Sequence, residues 1–148
     1  PAVIVRLQEL QPENCILIDA GTAPERHFGE IEAAGAHSVL LIDAVDFGGA
    51  CGDVAFFTED NLPDRASSTH DVPLVVLMRY IRLTAQAQVG LIGIQPAQTD
   101  FGAPMSAPLA EVVEQVASMI AGRPDITKMN LAPEDKNQSS DLGVGAWT

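Results

Sequence analysis

The stretch that most constrains this chain is Ser38 to Gly48, Ser-Val-Leu-Leu-Ile-Asp-Ala-Val-Asp-Phe-Gly. Val39 to Ile42 are apolar without a break, and the run ends directly in Asp43. Alternating polarity would mark a strand wet on one face. A continuous aliphatic and β-branched run marks a strand covered on both faces, as in a parallel sheet. A carboxylate then stands where the strand should stop, followed by Asp46, Gly48 and Gly49. Open α/β sheets bind ligands just beyond the carboxyl ends of their strands, so Asp43 is the leading candidate for a functional carboxylate.

The segments around it alternate in period. Pro1 to Gln11 reads as an amphipathic helix with Val3, Ile4 and Leu7 on one face. Cys15 to Asp19 reads as a second buried strand ending in a carboxylate, and Ala20-Gly21 turns the chain. Thr22 to Glu25 fits a capping box for a helix that runs to about Ala34, with Phe28 and Ile31 inward and Gly35 as its stop. Asp53 to Thr58 has mixed polarity and suits an antiparallel edge strand. Thr69-His70-Asp71 immediately precedes a helix beginning at Val72-Pro73, whose buried stripe is Leu74, Leu77, Met78 and Ile81; Thr69 or Asp71 can cap it. Gln88 to Gln95 is another buried strand, stopped by Pro96. Leu109, Val112, Val113, Val116 and Ile120 mark a last helix that ends at Gly122. This order predicts a three-layer α/β/α domain over residues 1–122, with a mainly parallel twisted sheet and one antiparallel edge strand. From Arg123 onward Pro, Asn, Ser, Gly and charge predominate, which predicts a disordered tail over residues 123–148.

Composition narrows the partners. A chain of 148 residues, 47% hydrophobic, suits one domain with a real core. A formal net charge of −12 argues against nucleic acid or an anionic membrane surface, both of which need basic patches. It is compatible with a cation or a basic peptide, although solubility alone is the plainer account of it. Cys15 and Cys51 have no C-x-x-C spacing, which points away from a disulfide framework and toward a reducing compartment. No apolar run approaches the ~18 residues of a membrane span, and no signal-type segment opens the chain, so a cytoplasmic domain is expected.

For chemistry, Asp43 ends one strand and His70 lies in the loop after the next, so both can reach the same edge of the sheet. Imidazole with carboxylate is a donor set for nickel or zinc rather than calcium. Spacing alone leaves plainer readings open, a structural histidine and an aspartate that caps its own turn. Asp19 stands between the same two readings: it orients a ligand or accepts N–H groups of its own turn. Asp46 at most supports Asp43 from the side, and His27 and His37 read as solvated surface. Cys51 beside glycines could serve as a nucleophile with His70, but no basic neighbour in sequence activates it. There is no G-x-S-x-G elbow, P-loop or G-x-G-x-x-G.

Several stretches together resemble one family. Leu-Ile-Asp-Ala-Gly-Thr-Ala-Pro-Glu (17–25), Leu-Ile-Asp-Ala-Val-Asp-Phe-Gly (41–48), Ser-Thr-His-Asp-Val-Pro-Leu (68–74), and Gly-Ile-Gln-Pro (93–96) with Phe-Gly-Ala-Pro-Met-Ser (101–106) are similar, in order, to the hydrogenase maturation endopeptidases. They look closest to the branch serving formate-hydrogenlyase-type [NiFe] hydrogenases. The resemblance implies a soluble cytoplasmic α/β protein that removes a short C-terminal extension from the precursor of the [NiFe]-hydrogenase large subunit after nickel insertion. It implies that nickel carried by the substrate is the recognition element, contacted by two acidic residues and a histidine. By motif match, Asp43 is the second acidic ligand, His70 the histidine, and Asp19, Gly21 and Thr22 belong to a substrate-facing turn; no residue is assigned a catalytic role. The family pattern opens with a strand, a G-x-G-N turn and an acidic stretch ending in Gly-Pro, which supplies the central first strand and the first acidic ligand. This sequence begins at the position of that final proline, so the first acidic ligand has no counterpart in it, and neither Glu9 nor Glu13 matches. Two other readings stay open here: a non-catalytic maturation module that binds the precursor tail, and an unrelated α/β enzyme that uses the Asp43 edge for a small ligand.

Overall fold

The computed structural model describes residues 2–64, 66–68, 72–97 and 107–122. In chain order the elements are α1 (Ala2–Leu10), a 3-10 turn (Pro24–His27) running into α2 (Phe28–Ala34), β1 (Ser38–Ala44), β2 (Val54–Phe57), α3 (Leu74–Ala85), β3 (Gln88–Ile94) and α4 (Ala107–Ala121). β3 is the middle of an open three-stranded mixed sheet. It pairs parallel with β1, from Ser38 opposite Gln88 to Ala44 opposite Ile94. It pairs antiparallel with β2, from Val54 opposite Ile94 to Phe57 opposite Leu91. The expected antiparallel edge strand is therefore β2.

Helices cover both faces of the sheet. On one face Val3 and Leu7 of α1 and Val116, Ala117 and Ile120 of α4 bury against Ile92 and Ile94, with Leu40, Ile42 and Phe56 packed around them. On the other, Leu74 and Met78 of α3 bury with Val45, Phe57 and Leu91, joined by Leu41 and Val89. The two clusters alternate along each strand, because successive side chains point to opposite faces. α2 lies against α3, where the Phe28 and Tyr80 rings stack with centroids 4.2 Å apart. All four stripe residues of α3 are buried. Gly35 ends α2 in the left-handed conformation, φ 59°, with its N–H donating to the Glu32 carbonyl, as the sequence predicts.

Three expectations fail. Cys15 to Asp19 joins no strand; Cys15 is exposed, Ile16 is 64% exposed, and only Leu17 packs on the α1–α4 core. The stretch forms no regular element, and its end at Ile18 and Asp19 lines a cleft along β1, described below. β1 is half-buried along most of its length instead of covered on both faces, because it lies at the edge of the sheet. The capping box does not form: the residue before the first helical turn is Ala23, no side chain caps it, and Pro24 starts the turn with its φ already set. The residue at the start of α3 is Pro73, while the alternative caps Thr69 and Asp71 lie outside the described residues, as does the tail 123–148.

Candidate functional site

A cleft of about 110 Å³ lies along the outer side of β1. Leu40 to Asp43 form one wall, Ile18 to Gly21 another, and Leu74 and Leu77 of the first turn of α3 close it from the side. Asp43 is the next-to-last residue of β1 and stands opposite Gly93. Strand alternation puts it on the same face as Leu41, which is the α3 face. One of its carboxylate oxygens, Oδ2, is shut away from solvent.

Asp19 lines the same cleft from the other wall. Its Oδ1 accepts the Gly21 N–H at 3.2 Å, and Gly21 has φ 56°. That is the turn a short acidic side chain makes with its own backbone, at a φ that glycine adopts without strain. Asp19 thus shapes its own turn and faces the cleft as well. Thr22 follows on the exposed side of the turn and does not line the cleft.

His70 lies outside the described residues. The described residues that flank it are firmly placed. Asp46 N–H donates to the Ser67 carbonyl at 2.9 Å and Ser67 N–H to the Asp46 carbonyl at 3.2 Å, a two-residue antiparallel bridge just beyond Asp43. On the far side, Leu74 is part of the cleft itself. Among the described residues no group of three His, Cys, Asp or Glu side chains converges as a metal site would require. His27, half-buried at the end of the 3-10 turn, lies 3.0 Å from Glu30 of α2, while His37 is exposed, as the sequence predicts. Cys51 is exposed and does not line the cleft, and neither cysteine is in a disulfide.

The structure also shows a residue to which the sequence reading gave no role. Gln95 is 7% exposed, at the end of β3. Its Oε1 accepts the N–H groups of Phe47, Gly48 and Gly49 at 3.0, 3.1 and 3.0 Å, and its Nε2 donates to Asp46 Oδ1 at 3.1 Å. The signal was present: a glutamine ending an apolar strand must satisfy its amide internally, and two glycines at 48 and 49 offer close backbone.

An open α/β sheet with two carboxylates lining one cleft at its edge strand defines an α/β protein of the kind that binds ligands beyond its strand ends. The chain belongs to the hydrogenase maturation protease family: the family described as HycI, hydrogenase maturation protease, matches residues 1–123. It is 30% identical over 110 residues to the Hydrogenase 3 maturation protease of Escherichia coli K12, covering 74% of this chain and 70% of that protein. A Methanocaldococcus jannaschii protein provisionally named as a hydrogenase maturation protease is 30% identical over 89 residues, 60% of this chain, and the match spans about half of that relative, 53%. Among solved structures, the [NiFe] hydrogenase maturation protease HycI from Thermococcus kodakarensis KOD1 has a TM-score of 0.73 at 31% identity, over 82% of this chain and 78% of that one. The solution structure of the Escherichia coli endopeptidase HycI has a TM-score of 0.72 at 27% identity, with the same coverage. The resemblance carried by the four motifs is borne out, and so is the α/β fold. No helix among the described residues is long and apolar enough to cross a membrane.

Proposed function

We propose that this protein is a cytoplasmic, nickel-dependent endopeptidase that removes the C-terminal extension of a [NiFe]-hydrogenase large-subunit precursor. The nickel belongs to the substrate. Asp43 supplies an acidic ligand, His70 a neutral imidazole nitrogen, and the Asp19–Thr22 turn faces the substrate. The observation that carries this reading is that Asp43 and the Asp19–Gly21 turn, from separate parts of the chain, line one cleft. In the sequence Ser67 stands three residues before His70 and Leu74 four after it. Both flanking positions are tied to the neighbourhood of Asp43.

The chemistry follows from the donor types. Carboxylate and imidazole together suit a borderline divalent cation such as nickel. A precursor that carries nickel gains these contacts, and one without nickel does not, so the contact discriminates loaded from empty substrate. A substrate-held metal near the scissile amide can polarise its carbonyl or hold a water for attack. The test is to incubate the protein with nickel-loaded and nickel-free precursor and follow loss of the C-terminal peptide by mass spectrometry. Cleavage of the loaded form alone, abolished by His70→Ala, is the expected result; equal cleavage of both forms, or full activity in His70→Ala, overturns the reading.

A further inference from the structure

The backbone that leaves β1 after Asp43 does not simply turn into solvent. Val45 N–H donates to the Ile94 carbonyl at 3.0 Å, extending the β1–β3 pairing by one residue. The next residues then wrap around Gln95. Three successive N–H groups, from Phe47 to Gly49, converge on its single Oε1. Its Nε2 holds Asp46 Oδ1, its own N–H donates to the Asp53 carbonyl at 2.8 Å, and its carbonyl accepts the Gly52 N–H at 2.9 Å. Asp46 in turn holds Ser67 through the two-bond bridge. One buried amide therefore fixes both the exit of the strand that carries Asp43 and the segment bridged to it.

We propose that Gln95 is a positioning residue for precursor cleavage: it holds the Asp46–Gly49 loop and the Asp46–Ser67 bridge in the register that keeps Asp43 aimed at the substrate. This rests on the proposed role of Asp43. The polarity of the pair makes it testable. A glutamine must accept with one end and donate with the other, and only the acceptor end survives in Gln95→Glu. The new carboxylate oxygen would face Asp46 Oδ1 in place of a donor, and two like charges at hydrogen-bond distance repel. Asp46→Asn alone keeps an acceptor for the Gln95 amide and for the Gly48 N–H, which already shares its proton between residues 46 and 95 at 3.1 Å each. Combined, the two substitutions restore a donor facing an acceptor, now reversed.

The experiment measures kcat and KM for precursor cleavage by the wild type, Gln95→Glu, Asp46→Asn and the double variant, with Tm of each. Gln95→Glu is expected to lower kcat/KM about tenfold or more at pH 8, and to recover toward the wild type as the pH falls and Glu at 95 takes up a proton to donate again. Asp46→Asn stays within about threefold of the wild type, and the double variant regains most of what Gln95→Glu lost. A double variant as poor as Gln95→Glu, or a Gln95→Glu enzyme as active as the wild type at pH 8, overturns the proposal. A purely structural role would move Tm and kcat/KM together in all variants, and that pattern also overturns it. The wild-type comparison of nickel-loaded with nickel-free precursor in the same assay tests the functional reading separately. If the wild type cleaves both equally, the nickel reading falls, while the reversal pattern at 46 and 95 still decides the role of Gln95.

Discussion

β1 and β3 have the same length, run parallel in register and end at the same edge, yet they are covered very differently. β1 is half-buried residue after residue, while β3 is closed from Gly90 to Ile94. The more continuously apolar strand is the less covered one: β1 contributes Val39 to Ile42, whereas β3 carries Gly90 and Gly93. Burial follows neighbours, not composition. β3 has a strand on each side, and its glycines admit the aromatic rings of β2. A Cβ on Gly90 would overlap the Phe56 ring, and one on Gly93 would come within 2.8 Å of Phe57 Cε2. β1 has a strand on one side and the cleft on the other. β3 thus anchors the domain, and β1 presents Asp43.

The sharpest way to break this contrast uses one register pair. Leu41 and Leu91 stand opposite each other on the α3 face and both border the cleft, but Leu91 is fully buried and Leu41 only half-buried. Leu91→Ala should cost about 3 kcal/mol of unfolding free energy, through lost transfer and the cavity left behind. Leu41→Ala should cost about half as much by the same urea titration, because its space opens to water. Equal losses would mean that the two strands are equally structural.

Asp43→Asn tests the other half of the contrast. It should lower precursor cleavage about a hundredfold while shifting stability by less than about 1 kcal/mol, since the change is nearly isosteric at a strand end. A large stability loss with proportionate activity loss would make Asp43 a structural cap. Smaller again is Gly90→Ala. Overlap with the Phe56 ring should destabilise by about 1–2 kcal/mol, and the same substitution in a Phe56→Leu background should cost less, since the clash is relieved.

Periodicity revealed the faces of the elements but not their neighbours. The α3 stripe and the Gly35 stop were legible because both are local: a 3.6-residue period and a left-handed residue depend on the segment alone. Cys15 to Asp19 and Val39 to Ile42 look alike as apolar runs, and nothing within either says which one gains a ladder partner. Asp43 and the Asp19 turn were legible as strand-end carboxylates, and the cleft that joins them was not, because it depends on how α3 packs back over β1. Gln95 was read only as the end of a strand. Its role depends on a loop 46 to 48 residues earlier in the sequence, and only the folded chain brings Phe47 to Gly49 onto its oxygen.

The smallest expected effect concerns the opposite edge of the sheet. Where β1 borders a cleft, the segment after β2 is tied to α3 by Glu59, which accepts from Arg79 Nε at 2.6 Å and from Arg82 Nε at 2.9 Å. The hydrogen bond from Arg82, then that from Arg79, holds the Glu59 carboxyl below its ordinary range. A carboxylate depressed in the folded state contributes stability that is present above its unfolded pKa and is lost as the pH falls through the folded value. Glu59→Gln should therefore lower Tm by no more than about 2 °C at pH 7, because both arginines are solvent-exposed and the pair is screened. Wild type and variant should converge as the pH is taken down through the carboxylate range, and 1 M salt should narrow the gap at pH 7. A Tm difference that persists unchanged at acid pH would show that Glu59 holds the β2 edge by packing and not by charge. The two edges of the sheet would then differ only in what lies beside them.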